Sequence, residues 1–286
     1  MRTLLVGAGE VGAKHLAALA DAHGFDVTAV AEPTLCRSSL GVPLFAGHHA
    51  ALRTLRPELV IVATPPGTAR DAARTGATVL VEKPVTTRPA DLAHRAGDER
   101  IHVAFQPHFA PGLAELLARP PECVRQAEVI LHCRRDPHYY RGWLRRAGTA
   151  GGVLHQQAIH GLALALRLLG HRQITRCRAT VVRWRQLAET EDRVHADITF
   201  DSGQTLTIAA RVDDEGPARH EITLRDAAGH LWHVAGRNLE AGPLGLLSYE
   251  RPARCPSGSG TPSPSWSSSS TTRGAGRSTC GSIWRR

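Results

Sequence analysis

Residues 3–12 read TLLVGAGEVG, and this stretch decides the fold. The apolar run at 3–6 predicts a short strand, and a helix-like pattern over 11–22 starts among the glycines that follow it. In such a strand–turn–helix unit, Gly7 permits the tight turn, Gly9 leaves the backbone open to close approach, and Gly12 lets the helix pack against the strand. The stretch therefore predicts the first unit of a doubly wound parallel α/β sheet.

Strand and helix patterns continue to alternate through the first hundred residues. Strands are predicted over 26–31, 59–63, 77–81 and 101–105, and helices over 50–55 and 69–75. Strands separated by helices favour a parallel sheet with helices on both faces. The continuous apolar run at 59–63 agrees with this interpretation, because strands that are covered on both faces do not alternate in polarity.

The pattern changes after about residue 120. Long strands are predicted over 125–134, 174–185, 192–200, 205–212 and 220–225, with turn signals between them and one helix over 153–169. This pattern indicates an α+β domain with a large open, mostly antiparallel sheet. The predicted organisation is an α/β domain at 1–108, an α+β domain at 109–250 and a separate tail at 251–286.

The tail differs in composition from the rest of the chain. Residues 251–286 hold ten serines and six arginines, no acidic residue and few aliphatic ones. Two interpretations fit: a disordered tail, or a frameshift near residues 245–255, which resequencing the DNA would test. Without the six arginines the net charge of +9 falls to +3, so the charge gives no reason to expect a nucleic-acid partner.

Several other classes of protein are disfavoured. No apolar run approaches the ~20 residues that span a membrane, and the six cysteines form no CxxC pair. We therefore expect reduced cysteines in a cytoplasmic protein. The histidines at 138, 155 and 160 do not have a usual zinc spacing, so no metal is expected.

The glycine-rich stretch has the context of a dinucleotide-binding loop, since it follows a predicted strand and opens a predicted helix. A pyrophosphate would bind at the helix N-terminus, where free N–H groups and the helix dipole favour an anion. The predicted contacts are Gly7, Gly9, Glu10, Val11 and Gly12.

The end of the second predicted strand bears on the choice of dinucleotide. Glu32 lies there, 20 residues after Gly12, where an acid hydrogen-bonds the ribose hydroxyls. Its charge would repel a 2′-phosphate and so favours NAD. Arg37 lies five residues further on and would instead accommodate NADP. The sequence leaves both cofactors open, with a preference for NAD.

Lysine is rare in this chain, and one lysine stands at a functional position. Of 35 basic residues only Lys14 and Lys83 are lysine. Lys83 follows a predicted parallel strand, at the edge of the sheet where ligands bind, and precedes Pro84. Arginine keeps its proton in proteins, whereas the pKa of a lysine can fall from ~10.4 toward the ~7–8 that general acid–base catalysis needs.

The chain resembles the glucose–fructose oxidoreductase / inositol dehydrogenase (Gfo/Idh/MocA) family in five segments: GAGEVG at 7–12 with His15, ATPP at 63–66, EKP at 82–84, FQPHF at 105–109 and GGVLHQQAIH at 151–160. The resemblance runs from residue 1 to about 235. It implies a Rossmann domain followed by an α+β domain, and homo-oligomers formed through the open sheet. It also implies NAD(P)-dependent oxidation or reduction of a secondary alcohol or ketone on a polyol, sugar, cyclitol or keto-sugar.

The resemblance also assigns roles to individual residues. Lys83 would be the catalytic lysine and His160 the catalytic histidine, and histidine titrates near neutral pH. On a regular helix His160 would share one face with Gln156, four residues earlier. Further contacts implied are Thr64, Pro65 and Glu82 for the cofactor, and Gln106, Tyr140 and Gln156 for the substrate. Tyr139 and Tyr140 match a stretch that lines the substrate pocket in some relatives.

Two positions depart from the family's pattern. The family commonly has an acid four residues before the catalytic histidine and another three residues after it, where this chain has Gln156 and Ala163. An amide cannot take up a proton, so Lys83 would carry more of the proton transfer, which suits a ketone reductase. The departures also leave open a non-catalytic NAD(P)-binding relative, either a sensor or a decayed enzyme.

Overall fold

The structure is a computed structural model of the 286-residue chain. It describes residues 1–34, 41–87, 98–109, 113–118, 120, 123–136, 139, 142–149, 151–170, 172–184, 189–236 and 246–250. Arg37, Tyr140 and the tail at 251–286 lie outside the described residues. None of the helices in the described ranges is both long and apolar enough to cross a membrane.

Six parallel strands form the N-terminal sheet, which confirms the predicted doubly wound arrangement. In chain order they are β1 (Arg2–Val6), β2 (Asp26–Ala31), β3 (Leu44–Phe45), β4 (Leu59–Val62), β5 (Thr78–Val81) and β6 (Ile101–Val103). The helices between them are α1 (Glu10–Ala20), α2 (His48–Leu55) and α3 (Ala69–Ala73). The order across the sheet is β3-β2-β1-β4-β5-β6.

Helices cover both faces of this sheet because its central strands are apolar on both sides. Leu4 and Val60 pack on the face that carries α2 and α3, whereas Leu5 and Ile61 pack on the opposite face with residues of α1. Successive residues of one strand thus contribute to different cores, as the two-residue period of a strand requires.

The order of the sheet places the two sequence motifs at one edge. The strand order reverses between β1 and β4, and ligands of such sheets bind beyond the carboxyl ends of the strands at this reversal. The glycine loop follows β1, while Glu82 and Lys83 follow β5. Both motifs therefore lie at the carboxyl edge of the same sheet.

Within the described ranges, seven strands form the second sheet, which is antiparallel except for the parallel pair β7 and β10. They are β7 (Val124–His132), β8 (Ile174–Val182), β9 (Arg193–Phe200), β10 (Thr205–Arg211), β11 (Arg219–Asp226), β12 (Leu231–Gly236) and β13 (Leu246–Glu250). Their order is β13-β12-β11-β7-β10-β9-β8. The predicted large, mostly antiparallel sheet is confirmed.

A helix covers part of the second sheet, whereas β8, the strand at one of its two edges, is exposed. Helix α5 (Ile159–Leu169) packs against β7 and β11, where Leu164 meets the buried Val129 and Ile222. At the far edge, all nine residues of β8 are exposed. The sheet therefore has an open region at β8.

The sequence patterns did not predict several elements whose local signal is weak, and they predicted the wrong start for one helix. It did not predict β3, β12, β13 or the short helix α4 (Leu113–Ala118). Short 3₁₀ helices were also missed: Asp98–Arg100, Gln106–Phe109, Gly142–Arg145 and Ala147–Thr149. The continuous helix predicted over 153–169 is wrong at its start, because Leu154–Ala158 is π-helical and α5 begins only at Ile159.

Candidate active site

The glycine loop has the tight geometry that its sequence predicted. Gly7 has φ +92°, and a Cβ atom there would lie 2.6 Å from the carbonyl oxygen of Ala63. A Cβ at Gly12 would lie 2.1 Å from the carbonyl oxygen of Gly7. A side chain at Gly7 would therefore clash with the residue that follows β4, and one at Gly12 would clash with the glycine loop. Both positions thus require glycine.

Gly9 differs from the other two glycines, because a Cβ atom there would meet no protein atom within 4 Å. The backbone N–H groups of Gly9, Glu10 and Val11 have no hydrogen-bond partner among the described residues. The side chain of Val11 is also 42% exposed, although it is apolar. Free N–H groups, open space and an exposed apolar side chain at one helix N-terminus fit a pyrophosphate and the cofactor that carries it.

Glu32 lies beside this loop, as predicted. Its Oε2 accepts a hydrogen bond from the backbone N–H of Ala8 at 3.0 Å, and its Oε1 accepts from the N–H and the hydroxyl of Thr34. These hydrogen bonds, led by that of Ala8, hold the pKa of Glu32 below its ordinary value. The group is therefore an anion, and a carboxylate has about four acceptor positions, which leaves room for a ribose hydroxyl.

Thr64 and Pro65 follow β4 and lie near the same loop. The Cγ2 of Thr64 would be 2.9 Å from a Cβ at Gly7, and its hydroxyl donates to the hydroxyl of Thr68 at 3.3 Å. Pro65 is exposed. The structure therefore brings Thr64 against the glycine loop and leaves Pro65 at the surface of the same turn.

Lys83 joins the loop after β5 to the segment that precedes α5. Its Nζ donates a hydrogen bond of 2.7 Å to the backbone carbonyl oxygen of Gln156, and the Lys83–Pro84 peptide bond is cis. Burial lowers the pKa of Lys83 from 10.5 to about 8; the charge of Glu82 acts against this and that of Arg135 acts with it. At neutral pH most of the amine is thus protonated but close to its titration point.

The carboxylate of Glu82 contacts His15 and Gln106. Its Oε1 lies 2.9 Å from Nε2 of His15 and accepts a hydrogen bond of 2.9 Å from the side-chain amide of Gln106. His15 belongs to α1. These contacts join the loop that carries Lys83 to the helix that begins at the glycine loop. They also hold the side chain of Gln106 beside Glu82.

The π-helical turn explains how a backbone carbonyl can bind Lys83. A π turn bonds residues five apart rather than four, so carbonyls around it are displaced from the ordinary helical ladder. The prediction that Gln156 and His160 follow one regular helical face is therefore wrong, because Gln156 lies inside this turn. The residue is buried, and its main-chain carbonyl accepts the hydrogen bond of Lys83.

Two glycines and an acid fix the start of this turn. A Cβ at Gly151 would lie 2.0 Å from the carbonyl oxygen of Leu144, and one at Gly152 would lie 2.4 Å from the carboxylate of Glu191. Glu191 accepts a hydrogen bond of 2.9 Å from the N–H of Leu154. The glycine pair of the segment at 151–160 is thus a packing requirement. Sequence reasoning missed Glu191, which no local pattern marks.

His160 lies near Lys83 but does not titrate as predicted. Burial lowers its pKa to about 3, and the positive charge of Lys83 adds to this effect. The expectation of a pKa near neutrality is therefore wrong, and the imidazole is neutral at physiological pH. Its Nδ1 is shielded from solvent and has no hydrogen-bond partner among the described atoms, and its ring meets Phe105 edge-on at 6.1 Å between centroids.

Two further histidines surround His160. Burial lowers the pKa of both His108 and His220 to about 4. His108 stacks on Phe105, and the Nε2 of His220 would lie 2.9 Å from a Cβ at Gly161 in α5. The sequence did not assign His220 to the site because it lies on β11, a strand distant in the chain. The three imidazoles make this side of the site uncharged at neutral pH.

Arg135, Tyr139 and Gln157 form a polar network, and the charge of Arg135 acts on the pKa of Lys83. The guanidinium of Arg135 lies over the ring of Tyr139, 4.8 Å from its centroid, and donates to Oε1 of Gln157 at 3.1 Å. The amide of Gln157 in turn donates to the hydroxyl of Tyr139 at 2.8 Å. Burial raises the pKa of Tyr139, so its hydroxyl keeps its proton. The one signal for Arg135 was its position at the end of a predicted strand.

Taken together, the described residues form a site with one titratable amine near its working range, a neutral imidazole and a tyrosine hydroxyl. The charge of Glu10, in the first turn of α1, acts on the pKa of Tyr139. This arrangement can hold a dinucleotide and move a proton at the Nζ of Lys83.

Comparison with family models gives two matches. Residues 1–97 match a model described as an oxidoreductase family with an NAD-binding Rossmann fold, and residues 123–231 match the GFO/IDH/MocA C-terminal domain. Together the two matches cover well over half of the chain. None of the curated proteins compared with the chain matches it.

Solved structures of similar fold include three with stated ligands or activities. The WlbA dehydrogenase of Bordetella pertussis, in complex with NADH and UDP-GlcNAcA, is 20% identical with a TM-score of 0.75, covering 89% of this chain and 84% of its own. GenD2 from gentamicin A biosynthesis, in complex with NAD, is 23% identical with a TM-score of 0.68, covering 82% and 72%. A myo-inositol dehydrogenase of Corynebacterium glutamicum is 21% identical with a TM-score of 0.66, covering 83% and 75%. These likenesses concern the fold.

Proposed function

Because this chain belongs to the Gfo/Idh/MocA family of oxidoreductases, with an NAD-binding Rossmann domain, we propose that it interconverts a secondary alcohol and a ketone on a sugar, cyclitol or keto-sugar. The observation that carries the proposal is the partly buried Lys83, whose pKa of about 8 lies near working pH. Structural neighbours that bind UDP-GlcNAcA or act on myo-inositol support this substrate class.

The proton steps follow from the charges in the site. When bound, the nicotinamide supplies or accepts the hydride. In ketone reduction, the ammonium of Lys83 would hydrogen-bond the carbonyl oxygen and donate its proton as the alkoxide develops, which leaves a neutral amine and an alcohol. In the reverse direction the neutral amine takes the hydroxyl proton. His160, being neutral, would donate or accept a hydrogen bond at the substrate without changing its charge.

The cofactor we propose is NAD rather than NADP. Glu32 is an anion at the end of β2, beside the glycine loop, and hydrogen bonds lower its pKa. A 2′-phosphate placed there would face a like charge, while ribose hydroxyls can donate to the carboxylate. Arg37, which would instead accommodate the 2′-phosphate of NADP, lies outside the described residues.

A parallel assay tests the function and the cofactor together. NADH and NADPH are titrated by fluorescence, and each is then tested for turnover with a panel of cyclitols, sugars, keto-sugars and nucleotide sugars in both directions. We expect tighter binding of NADH and steady-state turnover of at least one member of the panel. Binding of NADH without turnover on any substrate would contradict the catalytic proposal and favour the non-catalytic relative.

The pH dependence of turnover should report the titration of Lys83. Ketone reduction needs the protonated amine, so its kcat/KM should be level at neutral pH and fall about tenfold per pH unit above about 8. Alcohol oxidation needs the neutral amine and should rise to a plateau near the same pH. The charge of Glu82 raises the pKa of Lys83, so E82Q should move the break in both profiles to lower pH. A break that stays in place in E82Q would contradict this assignment.

We further propose that the chain forms homo-oligomers through the open region at β8. Ile174, Val181 and Trp184 are at least half exposed, which is unusual for large apolar side chains on one edge of a sheet. V181K should shift the mass measured by light scattering toward the monomer, whereas V11K, an equivalent change on the exposed surface of α1, should not. A wild-type monomer at micromolar concentration would contradict the proposal.

The expected cytoplasmic location stays a proposal. It is supported by Cys123, Cys133 and Cys177, which are free thiols among the described residues.

A further inference from the structure

Three side chains of metal-ligand type converge in the N-terminal part of the chain, and none of them was placed in the candidate active site. His48 and His49 begin α2, and Asp71 lies in α3, which packs on the same face of the sheet. The Nε2 atoms of the two histidines lie 3.5 and 3.8 Å from Oδ2 of Asp71. One ligand atom from each residue lies within 4.8 Å of the others.

These separations suit coordination better than hydrogen bonding. A good hydrogen bond between nitrogen and oxygen is about 2.7–3.2 Å long, and both histidine contacts are longer. Zinc bonds to nitrogen and oxygen are about 2.0–2.2 Å long, so two ligand atoms at a tetrahedral angle stand roughly 3.4 Å apart. The observed distances differ from this value by only a few tenths of an ångström.

The state of His48 points independently to a ligand. Its Nε2 is shielded from solvent and has no hydrogen-bond partner among the described atoms. Leaving a buried polar atom unsatisfied is unfavourable, and a metal ion at this nitrogen would satisfy it. The rings of His48 and His49 lie 4.0 Å apart between centroids and are tilted by 38°, so that both nitrogens reach the same carboxylate oxygen.

The neighbouring charges set how such an ion would be held. Nη1 of Arg74 donates to Oδ1 of Asp71 at 2.9 Å, which orients the carboxylate and leaves Oδ2 toward the histidines. The guanidinium also opposes a bound cation, but it is exposed and hydrated, so its repulsion is screened. Three protein ligands leave the remaining positions to water.

We propose that His48, His49 and Asp71 bind a divalent transition ion of the zinc type, joining the first turn of α2 to α3. Two imidazoles and one carboxylate suit zinc and neighbouring late first-row ions, whereas magnesium and calcium prefer oxygen ligands. This site does not depend on the proposed oxidoreductase activity, and it alters the earlier expectation that the chain binds no metal.

The test compares zinc binding by the whole chain and three variants. Each protein is freed of affinity tags, stripped with chelator and alkylated at its cysteines, and zinc binding is followed by calorimetry. D71N and H49A should each lower the affinity at least about 10-fold or remove one equivalent of zinc. H23A removes an exposed histidine outside the cluster and should bind zinc as the wild type does. Magnesium should give no heat of binding.

Cobalt provides a second readout that does not depend on measuring zinc affinity. Cobalt held in a tetrahedral nitrogen and oxygen site absorbs visible light strongly, whereas hydrated cobalt absorbs weakly. We expect strong bands in the wild type and H23A, and their loss in D71N. Equal zinc affinity in all four proteins, equal loss in H23A, or a wild-type cobalt spectrum like that of the hydrated ion would overturn the proposal.

Discussion

K83M is expected to lower kcat at least about 100-fold while the Kd for NADH changes little. Methionine has nearly the length of lysine and fills the same half-buried space, but it can neither donate to the Gln156 carbonyl nor exchange a proton with substrate. The variant therefore loses both the ammonium that donates a proton in ketone reduction and the neutral amine that accepts one in alcohol oxidation. The glycine loop and Glu32, which would bind the dinucleotide, are untouched.

The chain offers a matched control, since its two lysines lie in different surroundings. Lys14 is exposed and pairs with Glu10 at 2.9 Å on the surface of α1. K14M removes the same charge and adds the same side chain, and its kcat should stay within about twofold of the wild type, as is usual for exposed pairs. Turnover by K83M within a few-fold of the wild type, or a loss equal to that of K14M, would refute the role of Lys83.

The second large effect concerns two glycines of the loop and separates folding from binding. A Cβ at Gly12 would overlap the carbonyl oxygen of Gly7 at 2.1 Å, and both are main-chain positions that cannot rotate away. G12A should therefore destabilise the protein by about 3 kcal/mol or more, which corresponds to a fall in melting temperature on the order of 10 °C. Thermal unfolding followed by circular dichroism measures it.

G9A should behave in the opposite way. A Cβ at Gly9 meets no protein atom within 4 Å, so the melting temperature without cofactor should stay within about 2 °C of the wild type. The added methyl group would stand where the pyrophosphate approaches, so the affinity for NADH should fall at least about 10-fold. Unchanged NADH affinity in G9A would show that the cofactor does not approach this part of the loop.

The N-terminal domain was predictable because its signals are local. A strand, three spaced glycines and a helix follow one another within 20 residues, and the run at 59–63 could hardly form anything but a strand buried on both faces. The second sheet was predicted in kind but not in full. Its strands β12 and β13 lack a clear alternation. They are strands because β12 pairs with the edge of β11, and β13 pairs in turn with β12.

The sequence predicted several residues that the structure brings near Lys83, but it did not predict their surroundings. Lys83 could be chosen from its rarity and its place after a strand, and the structure gives it the lowered pKa that the argument required. The partner of Lys83 could not be foreseen, because a carbonyl is presented by a π turn and no side chain marks such a turn. The low pKa of His160 likewise depends on segments that are distant in sequence, including the strand that carries His220.

The bond between Lys83 and the Gln156 carbonyl limits how this chain can be recombined. The lysine lies in the first half of the chain, but the carbonyl oxygen that orients it lies in the second half. A chimera that joins the N-terminal half of this chain to the C-terminal half of a distant homologue would keep the lysine but lose the carbonyl oxygen that binds it. Swapping halves to change specificity should therefore succeed only where the donor half carries an equivalent turn.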